Sequence, residues 1–181
     1  QNYAKTAGAS GQNYSQTSGI IIGGTSGANY TDSGALTVTI KNIKFYKNTS
    51  SISGSSTHGG AIAVVDHLGS NHTINIEECL FFDNQVDGYG GAIYMGDGVT
   101  MTLKNCVLID NKASHGGAIF QSDWYASSGV GALTVMNCTI YRNWATVSST
   151  YSSGGISSYS SANNEFLAVN IYNSIVMSVS Y

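Results

Sequence analysis

The chain of 181 residues repeats a pattern of two parts along most of its length. The first part alternates apolar and polar residues and ends in Asn; it occupies 38–48, 74–84, 101–111 and 133–143, with a degraded copy at 169–179. The second part is Gly-Gly-Ala-Ile at 59–62, 90–93 and 116–119, and Gly-Gly-Ile-Ser at 154–157. Repeats of about 20–50 residues are typical of solenoids and arrays, whose functions lie on their faces and ends.

Aligning the five copies of the first part places apolar residues in three columns. Two of the columns stand two residues apart, so they share one face of a strand, which we expect to be buried. The columns are Val38, Ile74, Met101, Leu133, Val169, then Ile40, Ile76, Leu103, Val135, Ile171, then Phe45, Phe81, Leu108, Ile140, Val176. A parallel β-helix stacks equivalent residues in this way, with coils about 4.8 Å apart.

A column of asparagines follows the third apolar column. It consists of Asn48, Asn84, Asn111 and Asn143. Stacked amides can hydrogen-bond to one another at a bend, at about 0.5–1.5 kcal/mol for each bond. We therefore expect these residues to form a structural ladder.

Cysteines occupy a further column, at Cys79, Cys106 and Cys138. We expect small buried residues that fill a narrow core, as a second structural ladder. The odd number of cysteines leaves one disulfide as an alternative, although side chains in register point the same way rather than at each other. Zinc needs four convergent ligands, and a linear column supplies fewer.

Paired glycines mark the second part of each repeat. They are Gly59, Gly60, Gly90, Gly91, Gly116, Gly117, Gly154 and Gly155. Glycine permits a positive φ, so we expect a sharp corner at each pair, after which Ala-Ile returns the chain to the core.

Composition supports a β fold. The chain has 22 Gly, no Pro and few runs of good helix formers, and no segment shows an apolar helical stripe. The sequence therefore predicts an all-β protein: a single parallel β-helix of about five to six coils with little or no α-helix. We expect residues 20–181 to form this solenoid and residues 1–19, rich in Gly, Ser and Asn, to form an N-terminal arm or irregular extension.

The alternation of Gly-Gly-Ala-Ile with Phe-x-x-Asn resembles the passenger repeats of chlamydial polymorphic membrane proteins. The second motif is intact at Phe45–Asn48 and Phe81–Asn84, whereas Leu108 and Ile140 replace the Phe in later copies. The chain is also similar, over about residues 36–180, to right-handed parallel β-helix surface adhesins. The resemblance implies a right-handed coil and an extracellular or cell-surface protein.

The charge of the chain argues against several classes of partner. Only 9% of the residues are charged, the net charge is -3, and the seven Lys and Arg make no basic stripe. We therefore expect no nucleic-acid binding. No apolar run approaches the roughly 20 residues of a transmembrane helix, so we expect no such segment.

An enzyme is the main rival class, because many carbohydrate-active enzymes are β-helices. Asp83 and Asp110 could act as a carboxylate pair or bind Ca²⁺, but Lys47 and Arg142 flank them in the same column. The charges therefore have a structural interpretation as a cross-strand ladder. We expect no catalytic residue, no metal site and no cofactor, and hence a chain that is not an enzyme.

Two outward faces are candidate interaction surfaces. One is an apolar column of Tyr46, Phe82, Ile109, Tyr141 and Met177, which is either covered by a loop carrying Trp124 or Trp144 or used by a partner. The other is a Thr-rich array of Thr37, Thr73, Thr100, Ala132 beside Thr39, Asn75, Thr102, Thr134, Asn170. The array resembles the ice-binding faces of some antifreeze proteins, although Thr is also a common exposed strand residue.

The ends of the solenoid suggest a function. A β-helix exposes a strand edge at each end, and the sequence offers no capping helix, no Pro and almost no charge in 166–181. We expect self-association through the ends, as an extracellular structural subunit that assembles into a surface filament. Alternatives are an adhesin that binds a glycan or host-surface ligand, an ice-binding protein, or a fragment whose further coils cover the ends.

Overall fold

A computed structural model of the protein describes residues 19–23, 35–50, 57–65, 71–123, 131–149, 152–160 and 167–179. The described strands, in chain order, are β1 (Ile20–Gly23), β2 (Thr37–Lys41), β3 (Lys44–Tyr46), β4 (Thr49–Ser50), β5 (Ile62–Val65), β6 (Thr73–Glu77), β7 (Leu80–Phe82), β8 (Gln85–Val86), β9 (Ile93–Met95), β10 (Thr100–Lys104), β11 (Val107–Ile109), β12 (Lys112–Ala113), β13 (Ile119–Asp123), β14 (Ala132–Met136), β15 (Thr139–Ala145), β16 (Ile156–Ser160), β17 (Ala168–Tyr172) and β18 (Ile175–Val179). The predicted arm, apart from Gly19, lies outside the described residues, as does Trp124.

The strands form three sheets, and every pairing in them is parallel. The first sheet has the order β1-β5-β9-β13-β16, and the second has the order β17-β14-β10-β6-β2. The third contains β3, β7, β11 and β15 with β18, and continues through β12, β8 and β4. Each coil passes through all three sheets before the next coil begins, and no α-helix occurs in the described ranges. The predicted all-β, parallel β-helix fold is confirmed.

The register of the inner coils follows the columns read from the sequence. Leu103 lies between Ile76 and Val135, and Leu108 lies between Phe81 and Ile140. The inward side chains form one continuous core in which Phe81, Met101, Leu103, Leu108 and Leu133 are fully buried.

The last coil departs from the aligned register by one residue at two places. Ile156 pairs with Ile119, so Gly154 lies beside Gly117, and Gly155 lies beside Ala118. The alignment of Gly-Gly-Ile-Ser with Gly-Gly-Ala-Ile is therefore wrong by one position.

The second shift occurs in β18. Ser178 pairs with Asn143, and Arg142 has no equivalent in the last coil. The strand β18 runs straight past the point at which the inner coils bend, so the repeat is degraded here in structure as well as in sequence.

Residues with a left-handed backbone, rather than glycines alone, make the corners. One column of such residues separates the second sheet from the third and has φ between 46° and 58°: Asn42, Glu78, Asn105, Asn137, Asn173. A second column bends the third sheet: Lys47, Asp83, Asp110, Arg142. Asn tolerates this conformation better than most residues, which accounts for its frequency in the first column.

The paired glycines have two different roles. Gly59, Gly90 and Gly116 have φ of 60°, 71° and 62°, whereas the second glycine of each pair has no positive φ. At Gly91 a Cβ atom would lie 2.1 Å from the carbonyl oxygen of Gly117. In these three pairs the first glycine therefore turns the chain, and the second allows the coils to approach closely, whereas neither Gly154 nor Gly155 has a positive φ. The expectation that both glycines supply the turn is wrong for the second one.

A second apolar cluster lies on the outer side of the first sheet. Tyr94 and Phe120 are buried there, although they point away from the main core. The rings of His58, Tyr89 and His115 stack over them, with centroids 5.4 Å and 5.0 Å apart. The repeat places His58, Tyr89 and His115 at one position, but the residues beneath them differ from coil to coil, so the sequence did not indicate a buried cluster.

Candidate functional site

The asparagine ladder is continuous through four coils. Asn48 Nδ2 donates to Asn84 Oδ1 at 2.7 Å, and the same contact joins Asn84 to Asn111 at 2.8 Å and Asn111 to Asn143 at 2.9 Å. The backbone N–H of each of the first three residues donates to the same oxygen of its neighbour. All four residues are buried, so the ladder serves the fold and is not accessible to a ligand.

The cysteine column is also internal. Cys79, Cys106 and Cys138 are buried and free, and the backbone N–H of Cys106 lies 3.3 Å from the sulfur of Cys138. Ser174 takes the same place in the last coil, where its hydroxyl accepts a hydrogen bond from the backbone N–H of Cys138. Burial raises the pKa of the Cys79 thiol. The hydrogen bond with Cys138, together with burial, raises the pKa of Cys106.

The charged columns pair across neighbouring coils. Lys41 Nζ lies 3.1 Å from Glu77, and Lys47 Nζ lies 4.0 Å from Asp83. Arg142 lies 2.6 Å from the Asp110 carboxylate. The carboxylates that an enzymatic interpretation would use are therefore each engaged with a cation. Among the described residues, no group of three or more His, Cys, Asp or Glu side chains is placed to hold a metal ion.

The outward apolar column has an accessible surface at both ends. Tyr46 is 56% exposed and stacks on Phe82 with ring centroids 5.4 Å apart, and Met177 is 57% exposed. The cation of Lys47 lies over the Tyr46 ring, and that of Arg142 lies over the Tyr141 ring.

A groove of about 360 Å³ lies beside this column on the other side of the second bend. It is lined by Asp83, Gln85, Asp110, Lys112, Trp144 and Thr146. Trp144 thus lines the groove rather than covering the column. The sequence did not indicate the groove, because it forms where the left-handed bend brings two outward columns together.

The Thr-rich array lies on the outer face of the second sheet. Thr100 pairs with Thr73 and Ala132, and Thr102 pairs with Asn75 and Thr134. The array is in register over all five strands of the sheet, but Ala and Asn interrupt it.

The two ends of the solenoid differ. In the first coil the core residues Ile40 and Phe45 are each only 6% exposed. In the last coil the equivalent residues Ile171 and Val176 are 46% and 38% exposed. The core residues of the first coil are therefore covered, contrary to the expectation of a bare end there, whereas those of the last described coil are partly exposed.

These features define a repeat protein whose accessible chemistry lies on its outer columns and its last coil. Residues 78–96 match the Chlamydia polymorphic membrane protein (Chlamydia_PMP) repeat. The matched stretch runs from the bend at Glu78 through the ladder residue Asn84 to Ile93 and the end of β9, so it joins the two parts of one repeat. The predicted resemblance is confirmed there, and the match indicates a surface-associated β-helical protein.

No curated protein and no solved structure matches the chain significantly. Within the described ranges, no segment qualifies as a membrane-spanning helix.

Proposed function

We propose that the chain is a non-enzymatic extracellular structural protein, a β-helical subunit that assembles end to end into a surface filament. The exposed apolar face of the last coil carries this proposal. Ile171 and Val176 continue columns whose members in the inner coils, such as Val135 and Ile140, are fully buried. Covering them with another coil would remove apolar surface from water, which stabilises an assembly by about 25 cal/mol for each Å².

The backbone supports a head-to-tail contact. At the first corner, Asn42, Glu78, Asn105 and Asn137 each donate their N–H to a carbonyl of the following coil. Asn173 holds the fifth position, so its N–H points past the last described strand. On the first coil, the carbonyl of Lys41 is the acceptor that occupies the matching position.

At the first residue of each strand in the third sheet, the hydrogen bonds between coils run in the opposite direction. The N–H groups of Leu80, Val107, Thr139 and Ile175 each donate to a carbonyl of the preceding coil. The carbonyl of Ser174 would therefore accept from the N–H of Lys44 in a second copy. A contact between unlike ends that adds each copy along the solenoid axis, as one further coil, does not bring the chain of copies back on itself and produces an open filament.

The non-enzymatic part of the proposal is supported by the ion pairs. Asp83 and Asp110 each have a cationic partner in a neighbouring coil, which gives both carboxylates a role in the outer ladder. If the proposal is right, Asp110→Asn changes stability only slightly and removes no activity. Turnover of a polysaccharide that this substitution abolishes would overturn it.

The assembly is tested with two matched valine variants. Val176 in β18 is 38% exposed, and Val147, in the segment between β15 and β16, is 41% exposed. We expect filaments of the unmodified chain in electron micrographs and a concentration-dependent mass in light scattering. Val176→Asp should abolish both, whereas Val147→Asp should change neither.

These measurements distinguish a filament from a monomer and from a symmetric dimer. A monomer at high concentration would overturn self-association altogether. A closed dimer that Val176→Asp dissociates would overturn the filament, because it would show a symmetric contact between two last coils. Circular dichroism checks that Val176→Asp still folds.

An adhesin is the second candidate function. The exposed Tyr46–Phe82 stack and the neighbouring groove favour it, because large exposed apolar surfaces rimmed by polar residues mark binding sites. Ice binding through the Thr-rich array is a weaker candidate, and thermal hysteresis in solution would test it.

A further inference from the structure

The groove beside the outer apolar column is formed by side chains from three successive coils. Asp83 with Gln85, Asp110 with Lys112, and Trp144 with Thr146 contribute one pair each. Because neighbouring coils are about 4.8 Å apart, the groove extends about 10 Å along the solenoid axis. Its volume of about 360 Å³ lies within the range of small-molecule sites.

The left-handed bend is the reason that the groove exists. Asp83 and Asp110 have φ of 54° and 58°, and the ladder residue that follows each of them is buried. The residues on both sides of each ladder asparagine therefore point outward. Gln85, Lys112 and Trp144 stand in one column, since Lys112 pairs with both of the others. The two columns form the walls of the groove.

The walls combine several kinds of hydrogen-bonding group with one aromatic surface. The carboxylates of Asp83 and Asp110 accept, the amide of Gln85 and the hydroxyl of Thr146 both donate and accept, and the ammonium of Lys112 donates. Trp144 is half-buried and supplies a large apolar face. A sugar ring presents hydroxyl groups around its edge and C–H groups on its faces, so it matches this combination.

The electrostatics of the groove favour a neutral ligand. Lys47 and Arg142 pair with the two carboxylates, and Lys112 adds one further positive charge. These two negative and three positive charges nearly balance, so the groove offers no strong net attraction to a highly charged ligand. Recognition therefore rests on hydrogen bonds and on the apolar face of Trp144.

We propose that this groove binds a neutral oligosaccharide along the solenoid axis. The inference rests on the adhesin candidate and gives it a location and a class of ligand. It is independent of end-to-end assembly, because the groove lies on the side of the coils and a single copy contains all of its residues.

Trp144 provides a direct readout of binding. The chain contains two tryptophans, so Trp124→Phe leaves the indole of the groove as the only one. The fluorescence of this variant is titrated with hexamers of β-linked glucose, β-linked N-acetylglucosamine and α-linked glucose, and with a sialylated lactose. We expect a saturable change with at least one of the neutral hexamers and a weaker response to the sialylated sugar.

Gln85→Ala tests the position of the site. Loss of one neutral hydrogen bond should weaken binding by about three- to tenfold. Asn75→Ala, on the outer face of the second sheet and in the same coil, is the matched control and should leave affinity unchanged. Circular dichroism verifies that both variants fold.

Three results would overturn the proposal. They are no response to any neutral hexamer, an unchanged affinity in Gln85→Ala, and tighter binding of the sialylated sugar than of the neutral ones. Failure of this site is distinguishable from failure of the assembly, since filament formation is measured separately by the Val176→Asp comparison. An adhesin that used the Tyr46–Phe82 surface instead would still bind its ligand after Gln85→Ala.

Discussion

Asn84 donates two hydrogen bonds to a single amide oxygen of Asn111: Oδ1 of Asn111 accepts from both the side-chain Nδ2 and the backbone N–H of Asn84, at 2.8 Å and 3.0 Å. Asn111 in turn donates to Asn143 and to the carbonyl of Phe81. The amide therefore joins three coils at a buried bend. Each member of the ladder depends on its neighbour for satisfied hydrogen bonds.

Asn111→Ala should lower the free energy of unfolding by about 3 kcal/mol, because it removes four hydrogen bonds and leaves buried donors without partners. Asn75→Ala, on an outer strand face, should cost much less. Denaturant unfolding of both variants measures the difference. Equal losses in the two variants would contradict the role of the ladder.

The left-handed corner at Asn105 predicts that glycine is tolerated there better than valine, which is the reverse of their order in a β-strand. With φ at 54°, a β-branched residue is strained there, so Asn105→Val should cost about 1–2 kcal/mol. Asn105→Gly should lie within about 0.5 kcal/mol of the unmodified chain. Thermal unfolding of the pair tests the prediction, which fails if glycine is the more destabilising residue.

The cysteine column predicts thiols that react only after unfolding. Cys79, Cys106 and Cys138 are all buried, so a reagent in solvent does not reach the sulfurs of the folded chain, although a hydrogen bond with Cys106 lowers the pKa of Cys138. A colorimetric disulfide reagent should detect almost no thiol in the native protein and all three thiols in denaturant. Rapid labelling of the native protein would show that the column opens in solution.

The partial burial of His115 predicts that acidification weakens the outer aromatic cluster. Burial lowers the pKa of His115 below its ordinary 6.5, so the unfolded chain binds the proton first. Stability should therefore fall as the pH drops below about 6.5, until the folded protein is protonated as well. His115→Tyr, which places there the residue that the same column has at Tyr89, should reduce this dependence.

Urea unfolding of both chains between pH 5 and pH 8 measures the effect. Parallel stability curves for the two chains over this range would contradict the prediction.

The repeats in the sequence are sufficient to predict the solenoid and most of its register. Alternating apolar residues, the recurrent Asn and the Gly pairs are local signals that repeat, and each copy supports the alignment of the others. Leu103 and Asn111 could be placed in this way because a parallel β-helix puts equivalent positions directly above one another. The same alignment gives Asp83 and Asp110 their cationic neighbours, Lys47 and Arg142, in the adjoining coils.

The places where the repeat departs from itself become apparent only in the folded chain. The one-residue shifts at Gly154 and Ser178, the burial of Phe45 in the first coil and the exposure of Val176 in the last depend on contacts between segments far apart in the chain. The groove at Trp144 depends on the left-handed bend at Asp110, and the same column bends at Lys47 and Arg142, residue types that give no sign of this conformation. Repetition fixes what is common to the coils, whereas packing at the ends and corners decides which surfaces remain available to a partner.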